Sequence, residues 1–400
     1  MQAPSAMAVP RSEIARRIGA LQGQLARKGL DAALILQTAD LFYFAGTIQQ
    51  SHLWVPDQGE PLLLVRKDLA RARAESPLAR IEAIRSPKEI PGLLAANGLA
   101  APQALGLEMD VLPANLYLAY GLIFAGARLS DNSTAIRLLR AVKSSWEIGM
   151  IRQAARLSDQ LAAAVPDLLR EGMTEIELAG QVEARARALG HQGIVRMRLW
   201  GSELLYGHLM AGPSGAVPSY LASPTGGPGV GPAVAQGPGM RPIQRHEPIL
   251  VDYVFVFNGY LADHTRIFSL GRLPADLERA HAAMLTVQAE VKAATRPGVP
   301  SGRLYQTAIE SAERQGYGAF FMGADERRVR FVGHGIGLEL DEFPFLAQGQ
   351  DLPLQAGMVF ALEPKLVFPG RGVVGIENTH LVTAQGVEQL TRLEEQIMVV

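Results

Sequence analysis

The stretch LVDYVFVFNGYLADHTRIF, from Leu250 to Phe268, decides how the second half of this 400-residue chain folds. Asn258-Gly259 is a pair favoured in two-residue type I′ turns, because both turn positions need positive φ. It joins two runs rich in β-branched and aromatic residues, 250–257 and 260–268. Placing Phe257 opposite Tyr260 sets the register: Val254 faces Asp263, and Asp252 faces Thr265. Side chains alternate along a strand, so Asp252 and Val254 share a face. Asp252 and Asp263 then become diagonal neighbours, roughly 7–8 Å apart at the backbone and closer at the side chains. The first run is apolar on both faces, which predicts a buried Asp252. A buried carboxylate is costly unless it is paired or bound to a metal. The pair alone leaves two readings open: local hydrogen bonds or an arginine such as Arg266, or a cation held between two converging carboxylates.

Further along stands Gly333-His334-Gly335-Ile336-Gly337, whose glycines allow tight turns close to the imidazole. Glu363 ends the apolar run 358–362, and Glu377 interrupts the strand-like run 372–382. Four acids on core-like strands plus one glycine-flanked histidine make a ligand set. Two divalent cations would balance Asp252, Asp263, Glu363 and Glu377, with His334 as a neutral donor. Oxygen-rich sets with one imidazole suit Mn²⁺, Co²⁺ or Zn²⁺, and paired ions sit ~3.5–4 Å apart.

The rest of the chain frames this set. Residues 12–28 place Ile14, Ile18, Leu21 and Leu25 at helical spacing, after a first dozen residues that read as a loose arm. Apolar runs at 32–36, 61–65 and 105–107 read as buried strands between helices, an α/β unit of about 130 residues. Residues 131–140 read as a junction. Residues 146–171 form a long helical pattern interrupted by Pro166, and Thr174 with Glu177 opens another helix through a capping box. Two more helices are expected near 275–295 and 301–315. The Gly/Pro-dense stretch 212–242 cannot be a helix or central strand. Lying inside the second domain, it reads as an active-site rim rather than a linker.

Several of these segments resemble the pita-bread metallopeptidases, which include methionine aminopeptidase, Xaa-Pro aminopeptidase, prolidase and creatinase. They are 252–266, 333–344 (Gly-His-Gly-Ile-Gly-Leu-Glu-Leu-Asp-Glu-Phe-Pro), 357–364 and 375–383. Phe42-Tyr43-Phe44-Ala45-Gly46 and the segment 136–143 before Glu147 resemble the N-terminal domain and junction of the prolidase/creatinase branch. The resemblance implies a creatinase-like α/β N-terminal domain over 12–140 and an α+β pita-bread catalytic domain over 141–400. It implies that Asp252 chelates one metal ion, that Asp263 and Glu377 bridge two, and that His334 and Glu363 hold the second. A metal-bridged hydroxide would attack an amide carbonyl, and Thr265 would support the ligands by a hydrogen bond.

Three departures stand out. Asp341 takes the place of a histidine seven residues after His334, Ser219 takes that of another before the first aspartate, and Gly375 that of an arginine. His208 is a further candidate beside the Gly/Pro loop. His264 and His380 point away from the ligands by strand alternation, and His52 could reach a partner's site.

The resulting expectation is an Xaa-Pro dipeptidase- or aminopeptidase-like hydrolase acting on a small peptide or amide substrate. The alternatives are a non-peptidase amidohydrolase on the same fold, or a metal-binding but catalytically silent interaction protein. The resemblance also implies a homodimer. Lys+Arg 38 against Asp+Glu 39 gives a net charge of -1, which argues against nucleic acid or an anionic membrane as partner. The chain has no cysteine, which removes thiolate metal sites and disulfides. With no secretory pattern and no apolar run of ~18 residues, the expectation is a cytoplasmic protein.

Overall fold

The structure is a computed structural model that describes residues 7–204 and 206–400. The loose arm expected over the first dozen residues lies partly outside the described residues. The chain divides into two compact units, one ending at Arg140 and the other spanning Ala141–Val400.

The first unit is built on a six-stranded sheet ordered Ile81–Ala83, Leu62–Val65, Ser51–Pro56, Ala32–Ile35, Ala104–Leu107, Arg128–Asp131. The sheet is mixed: Ala32–Ile35 runs antiparallel to Ser51–Pro56 and parallel to Ala104–Leu107. Strand Ser51–Pro56 escaped the sequence reading because it opens on Ser51-His52 and closes on Pro56, yet every residue in it is buried. Helix Arg11–Lys28 buries Ile14, Ile18, Leu21 and Leu25. Glu13 in its first turn and Arg27 and Lys28 in its last complement the helix dipole, and Gly29 ends it at φ 61°. The expected junction at 131–140 is mostly a regular helix, Ser133–Ala141.

In the second unit, helix Ser145–Ala163 starts at a capping box of Ser144 and Glu147, and Pro166 opens a separate short helix, Val165–Leu168. Thr174 and Glu177 form the expected capping box before Glu175–Ala188. Helices Ala275–Ala294 and Ser301–Arg314 pack Met284, Val287, Leu304 and Ala308 into a core with Leu250, Ile267, Phe360, Leu362, Leu366 and Val374. A four-stranded sheet runs Met398–Val399, Thr265–Ser269, Ile249–Tyr253, Gly207–Ala211. A five-stranded sheet runs Glu342–Ala347, Phe331–Gly335, Val359–Leu362, Asn378–Thr383, Gly386–Gln389. Among the described residues no helix is long and apolar enough to cross a membrane.

The decisive hairpin has the expected register: Phe257 pairs with Tyr260 and Asp252 with Thr265. Asn258 and Gly259 have φ 48° and 86°, as a type I′ turn requires. The expected continuous strands are each broken once, at Val254 and at Asp263-His264. Several backbone groups there find partners outside the hairpin, while the His264 carbonyl still accepts from Tyr253 N–H within it. Val254 N–H donates to the Tyr206 carbonyl, and Asp263 N–H donates to Thr379 Oγ1, whose hydroxyl donates back to the Asp263 carbonyl. The break thus anchors Asp263 to strand Asn378–Thr383, beside Glu377.

Candidate metal centre

Asp252 is the penultimate residue of strand Ile249–Tyr253, and its neighbours across the sheet are His208 on one side and Thr265 on the other. Asp263 lies in the hairpin break, and His334 is on strand Phe331–Gly335. Glu363 follows Val359–Leu362, and Glu377 falls between Gly372–Gly375 and Asn378–Thr383. All five ligand candidates line one cavity. Asp263, His334 and Glu377 each bring a donor atom within 4.8 Å of the others. His334 Nε2 lies 3.8 Å from Asp263 Oδ2 and 3.7 Å from Glu363 Oε1. Its Nδ1 is 3.0 Å from the Leu340 carbonyl oxygen. That nitrogen therefore donates its proton to the carbonyl, which leaves Nε2 facing the carboxylates and able to ligate an ion held between them. Thr265 Oγ1 donates to Glu377 Oε2 at 2.7 Å.

One residue the sequence reading passed over enters the centre. The Lys365 ammonium lies 2.9 Å from Asp252 Oδ2, 2.8 Å from Glu363 Oε2 and 2.8 Å from Glu377 Oε2. It is 1% exposed. The alternative partner Arg266 turns the other way, donating to the carbonyls of Thr265, Glu377, Leu393 and Glu394 and to Asn378 Oδ1. Lys365 pairs in register with Gly375, where the resemblance expects an arginine. A cation thus reaches the carboxylates from the facing strand.

Four carboxylates and one ammonium leave negative charge to be met, and the proton affinities record it. Burial, then the Asp252 charge, raises Asp263 to about 7. Burial and the Asp263 charge push Glu377 well above the carboxylate range. Burial opposes ionisation of Asp252 too, but the Lys365 ammonium overcomes it and holds that carboxyl below its ordinary value. Burial disfavours a charged His334, yet Asp341, Glu363 and Asp263 raise its pKa. The set fits a divalent ion among Asp263, His334, Glu363 and Glu377. The expected second position, at Asp252 and Glu377, coincides with oxygens already bonded to Lys365.

The cavity offers about 100 Å³ of space to water-sized groups and opens to solvent. Met197, Leu199, Leu204, Leu221 and Phe331 supply apolar wall; His208 and Asp341 supply polar groups. His208 Nε2 is 3.4 Å from Gln236 Oε1, and burial lowers its pKa against the pull of Asp252. Asp341 Oδ1 stands 3.7 Å from His334 Nδ1. Ser219 Oγ accepts from Leu221 N–H at 3.0 Å, closing a local turn, and from the same loop Leu221, Ala222 and Ser223 line the cavity. No reading of a Gly/Pro-rich loop could separate these residues, because its path depends on tertiary contacts. His264 bonds Ser158, and His380 stacks on Phe360, both away from the ligands. His52 is buried in its own unit with Nε2 2.7 Å from Tyr120 Oη.

Behind the centre, Lys143 Nζ is 3.0 Å from Glu342 Oε2, and Glu342 Oε1 accepts the N–H groups of Leu338 and Glu339. This buried pair pins the turn whose Leu340 carbonyl orients His334.

The model of metallopeptidase family M24 matches residues 149–384, and that of the creatinase/prolidase N-terminal domain matches residues 17–142. A probable dipeptidase PepE of Mycobacterium tuberculosis is 29% identical over 399 residues, 96% of each chain. The crystal structure of dipeptidase PepE from Mycobacterium ulcerans is 26% identical with a TM-score of 0.80, covering 98% of this chain and 100% of that one. The Xaa-Pro dipeptidase from Bacillus anthracis shares the fold, with a TM-score of 0.82 at 22% identity over 97% of this chain and 100% of that one.

Proposed function

The chain belongs to metallopeptidase family M24, with a creatinase-like N-terminal domain and a pita-bread catalytic domain, and on that premise we propose that it hydrolyses an amide C–N bond in a small peptide, in the manner of Xaa-Pro dipeptidases and aminopeptidases. The observation that carries the reading is the convergence of Asp263, His334 and Glu377 on one cavity. A divalent ion bound there supplies Lewis acidity towards a substrate carbonyl and makes hydroxide accessible near neutral pH. Thr265 fixes one Glu377 oxygen, the Leu340 carbonyl fixes the His334 tautomer, and Thr379 fixes the Asp263 backbone. These restraints keep the donor atoms in place before substrate arrives. His208 is held neutral and can hydrogen-bond a substrate carbonyl. Asp341, with a side chain 20% exposed, can pair with a substrate ammonium. The apolar wall takes an uncharged ring or side chain and excludes water.

The resemblance implies a second ion on Asp252, Asp263 and Glu377, but the hydrolase reading needs only the position at Asp263, His334 and Glu377. It also implies a homodimer, which sedimentation at micromolar concentration tests; the cytoplasmic location is proposed on the sequence pattern alone. A second reading, an amide hydrolase acting on non-peptide substrates, is favoured by the carboxylate of Asp341 where a peptidase-like histidine is expected.

The test strips the protein with a chelator and reloads it with Mn²⁺, Co²⁺ or Zn²⁺. It is then offered Xaa-Pro dipeptides, N-acyl amides and cyclic amides. Dipeptide turnover that vanishes on chelation supports the first reading, and turnover of the other amides alone supports the second. No turnover of any amide by metal-loaded protein overturns both and leaves a binding protein.

A further inference from the structure

Lys365 does more than neutralise a buried acid. An ammonium has three donor hydrogens and no acceptor. Here its nitrogen meets three carboxylate oxygens at 2.8–2.9 Å, one from each of Asp252, Glu363 and Glu377. All three hydrogens are therefore used. The ammonium sits where Asp252 and Glu377 would share an ion. Oxygens of hard divalent ions approach at about 2.0–2.6 Å, so an ion among these three oxygens would displace the Lys365 nitrogen.

The backbone leaves the lysine little room to withdraw. Strand Lys365–Phe368 is paired with Gly372–Gly375, so Lys365 lies directly opposite Gly375. A Cβ at Gly375 would stand 2.5 Å from the Pro364 carbonyl oxygen, 2.7 Å from Lys365 Cα and 3.0 Å from Lys365 Cγ. The backbone of the facing strand thus lies close over the glycine, and the Lys365 carbonyl is held by Met322 N–H at 2.9 Å. Only 1% of the residue is exposed, so the charged head rests among the carboxylates rather than in water.

The remaining oxygens point elsewhere. His334 Nε2 faces Asp263 Oδ2 and Glu363 Oε1, atoms that Lys365 does not touch. Glu363 thereby divides its two oxygens, Oε2 to the lysine and Oε1 towards the histidine. The charge count agrees. Two divalent ions alone would neutralise four carboxylates; two ions plus the ammonium would leave an excess positive charge in a buried site. One ion plus the ammonium leaves a single negative charge, next to the Thr265 hydroxyl and the His264 N–H, which donate to Glu377 and Asp263.

The geometry points to a single-ion centre in which the Lys365 ammonium permanently occupies the place of the second metal. This inference rests on the hydrolase reading for the existence of the first ion. It goes beyond it in assigning Asp252 to the lysine rather than to a metal.

The experiment titrates Mn²⁺ into the chelator-stripped, full-length protein by calorimetry and follows the same samples by electron paramagnetic resonance. Wild type is expected to saturate at one ion per chain with the hyperfine pattern of isolated Mn²⁺. Lys365→Ala opens the second position and is expected to take up two ions per chain with the broadened signal of a coupled pair. Two ions per wild-type chain, or a coupled signal from it, overturns the proposal and leaves the hydrolase reading standing. A folded Lys365→Ala that still binds one ion also overturns it. No ion in wild type overturns the hydrolase reading together with this one. Should Lys365→Ala fail to fold, the wild-type stoichiometry and spectrum decide the matter alone.

Discussion

Replacing Glu342 with glutamine isolates one buried charge and tests how far the centre depends on the turn behind it. In the native protein Glu342 Oε2 is 3.0 Å from Lys143 Nζ, and the two side chains are 6% and 1% exposed. Glu342 Oε1 accepts the Leu338 and Glu339 N–H groups at 2.8 and 3.1 Å. A glutamine has one oxygen for these two duties. If that oxygen stays on the turn, an NH₂ group faces the ammonium, whose other hydrogen-bond partner is the Ala141 carbonyl at 3.4 Å. Removing one partner of a buried ion pair costs about 3–5 kcal/mol, because the remaining charge is left uncompensated. The Leu340 carbonyl that holds His334 Nδ1 belongs to the same turn. Loss of a group that orients a ligand lowers metal affinity ~10–100-fold. Urea unfolding followed by tryptophan fluorescence reads the first effect, as the midpoint shift multiplied by the slope m. Mn²⁺ calorimetry reads the second. Adding Lys143→Met should recover a large part of the lost stability but not the affinity. A loss below about 1 kcal/mol in Glu342→Gln would refute the charge argument. Unchanged Mn²⁺ affinity despite the expected loss of stability would refute the coupling through the turn.

Three other outcomes are expected. Thr265→Val removes the hydroxyl on Glu377 and should weaken Mn²⁺ binding ~10–100-fold by calorimetry while the protein stays folded; equal affinity would make Thr265 a packing residue only. Asp341→His should raise hydrolysis of plain Xaa-Pro dipeptides by about 10²-fold if it restores a donor to the developing oxyanion, and Asp341→Ala should abolish any preference for cationic substrates; steady-state rates unchanged in both variants would mark Asp341 as a bystander. His380 is fully buried, and burial, with help from Lys292, pushes it down to about 3. Its folded pKa lies below the unfolded value of about 6.5, so the unfolded chain takes up the proton first, and stability present above that value is lost as pH falls. Between pH 7 and pH 5 the loss is about 2 kcal/mol, and His380→Phe should remove it; parallel urea-unfolding curves for the two proteins at both pH values would count against this assignment.

Much of the centre was legible in the primary structure because it rests on local rules. The Asn258-Gly259 turn and strand alternation are enough to pair Asp252 with Thr265. The acids at 363 and 377 betray themselves by interrupting apolar runs. Ser144 and Thr174 announce their helices by capping boxes. What escaped depends on contacts between segments distant in sequence. Strand Ser51–Pro56 looks too polar at one end, and its burial comes from neighbours on both sides of the sheet. Ser219 and Ser223 are equivalent in a Gly/Pro-rich loop until the fold sets the loop's path. Lys365 was the costly omission. A signal existed: a lysine at the head of the apolar run Leu366-Val367-Phe368, two residues beyond a suspected ligand. A lysine on a strand normally carries its head to water, so this one needed a reason to be inside.

The absent arginine at Gly375 and the lysine at 365 are best read as one change rather than two. The facing strand leaves no room for a side chain at 375, because a Cβ there would fall 2.5 Å from the Pro364 carbonyl oxygen and 2.7 Å from Lys365 Cα, with Lys365 Cγ 3.0 Å away. Glycine at 375 makes room, and the lysine delivers positive charge from the opposite strand of the same pair. Asp341 fits the same logic from the other side of the centre. With His334 between Asp341 and the shared acids, the site keeps a strongly negative rim at its histidine end while its Asp252 end is neutralised from within. On the proposed hydrolase function, such a gradient would favour a substrate whose positive group lies towards Asp341 and whose uncharged part lies against the apolar wall of Met197, Leu199 and Leu221. The departures from the peptidase pattern therefore act together on charge and leave the scaffold that carries the ligands intact.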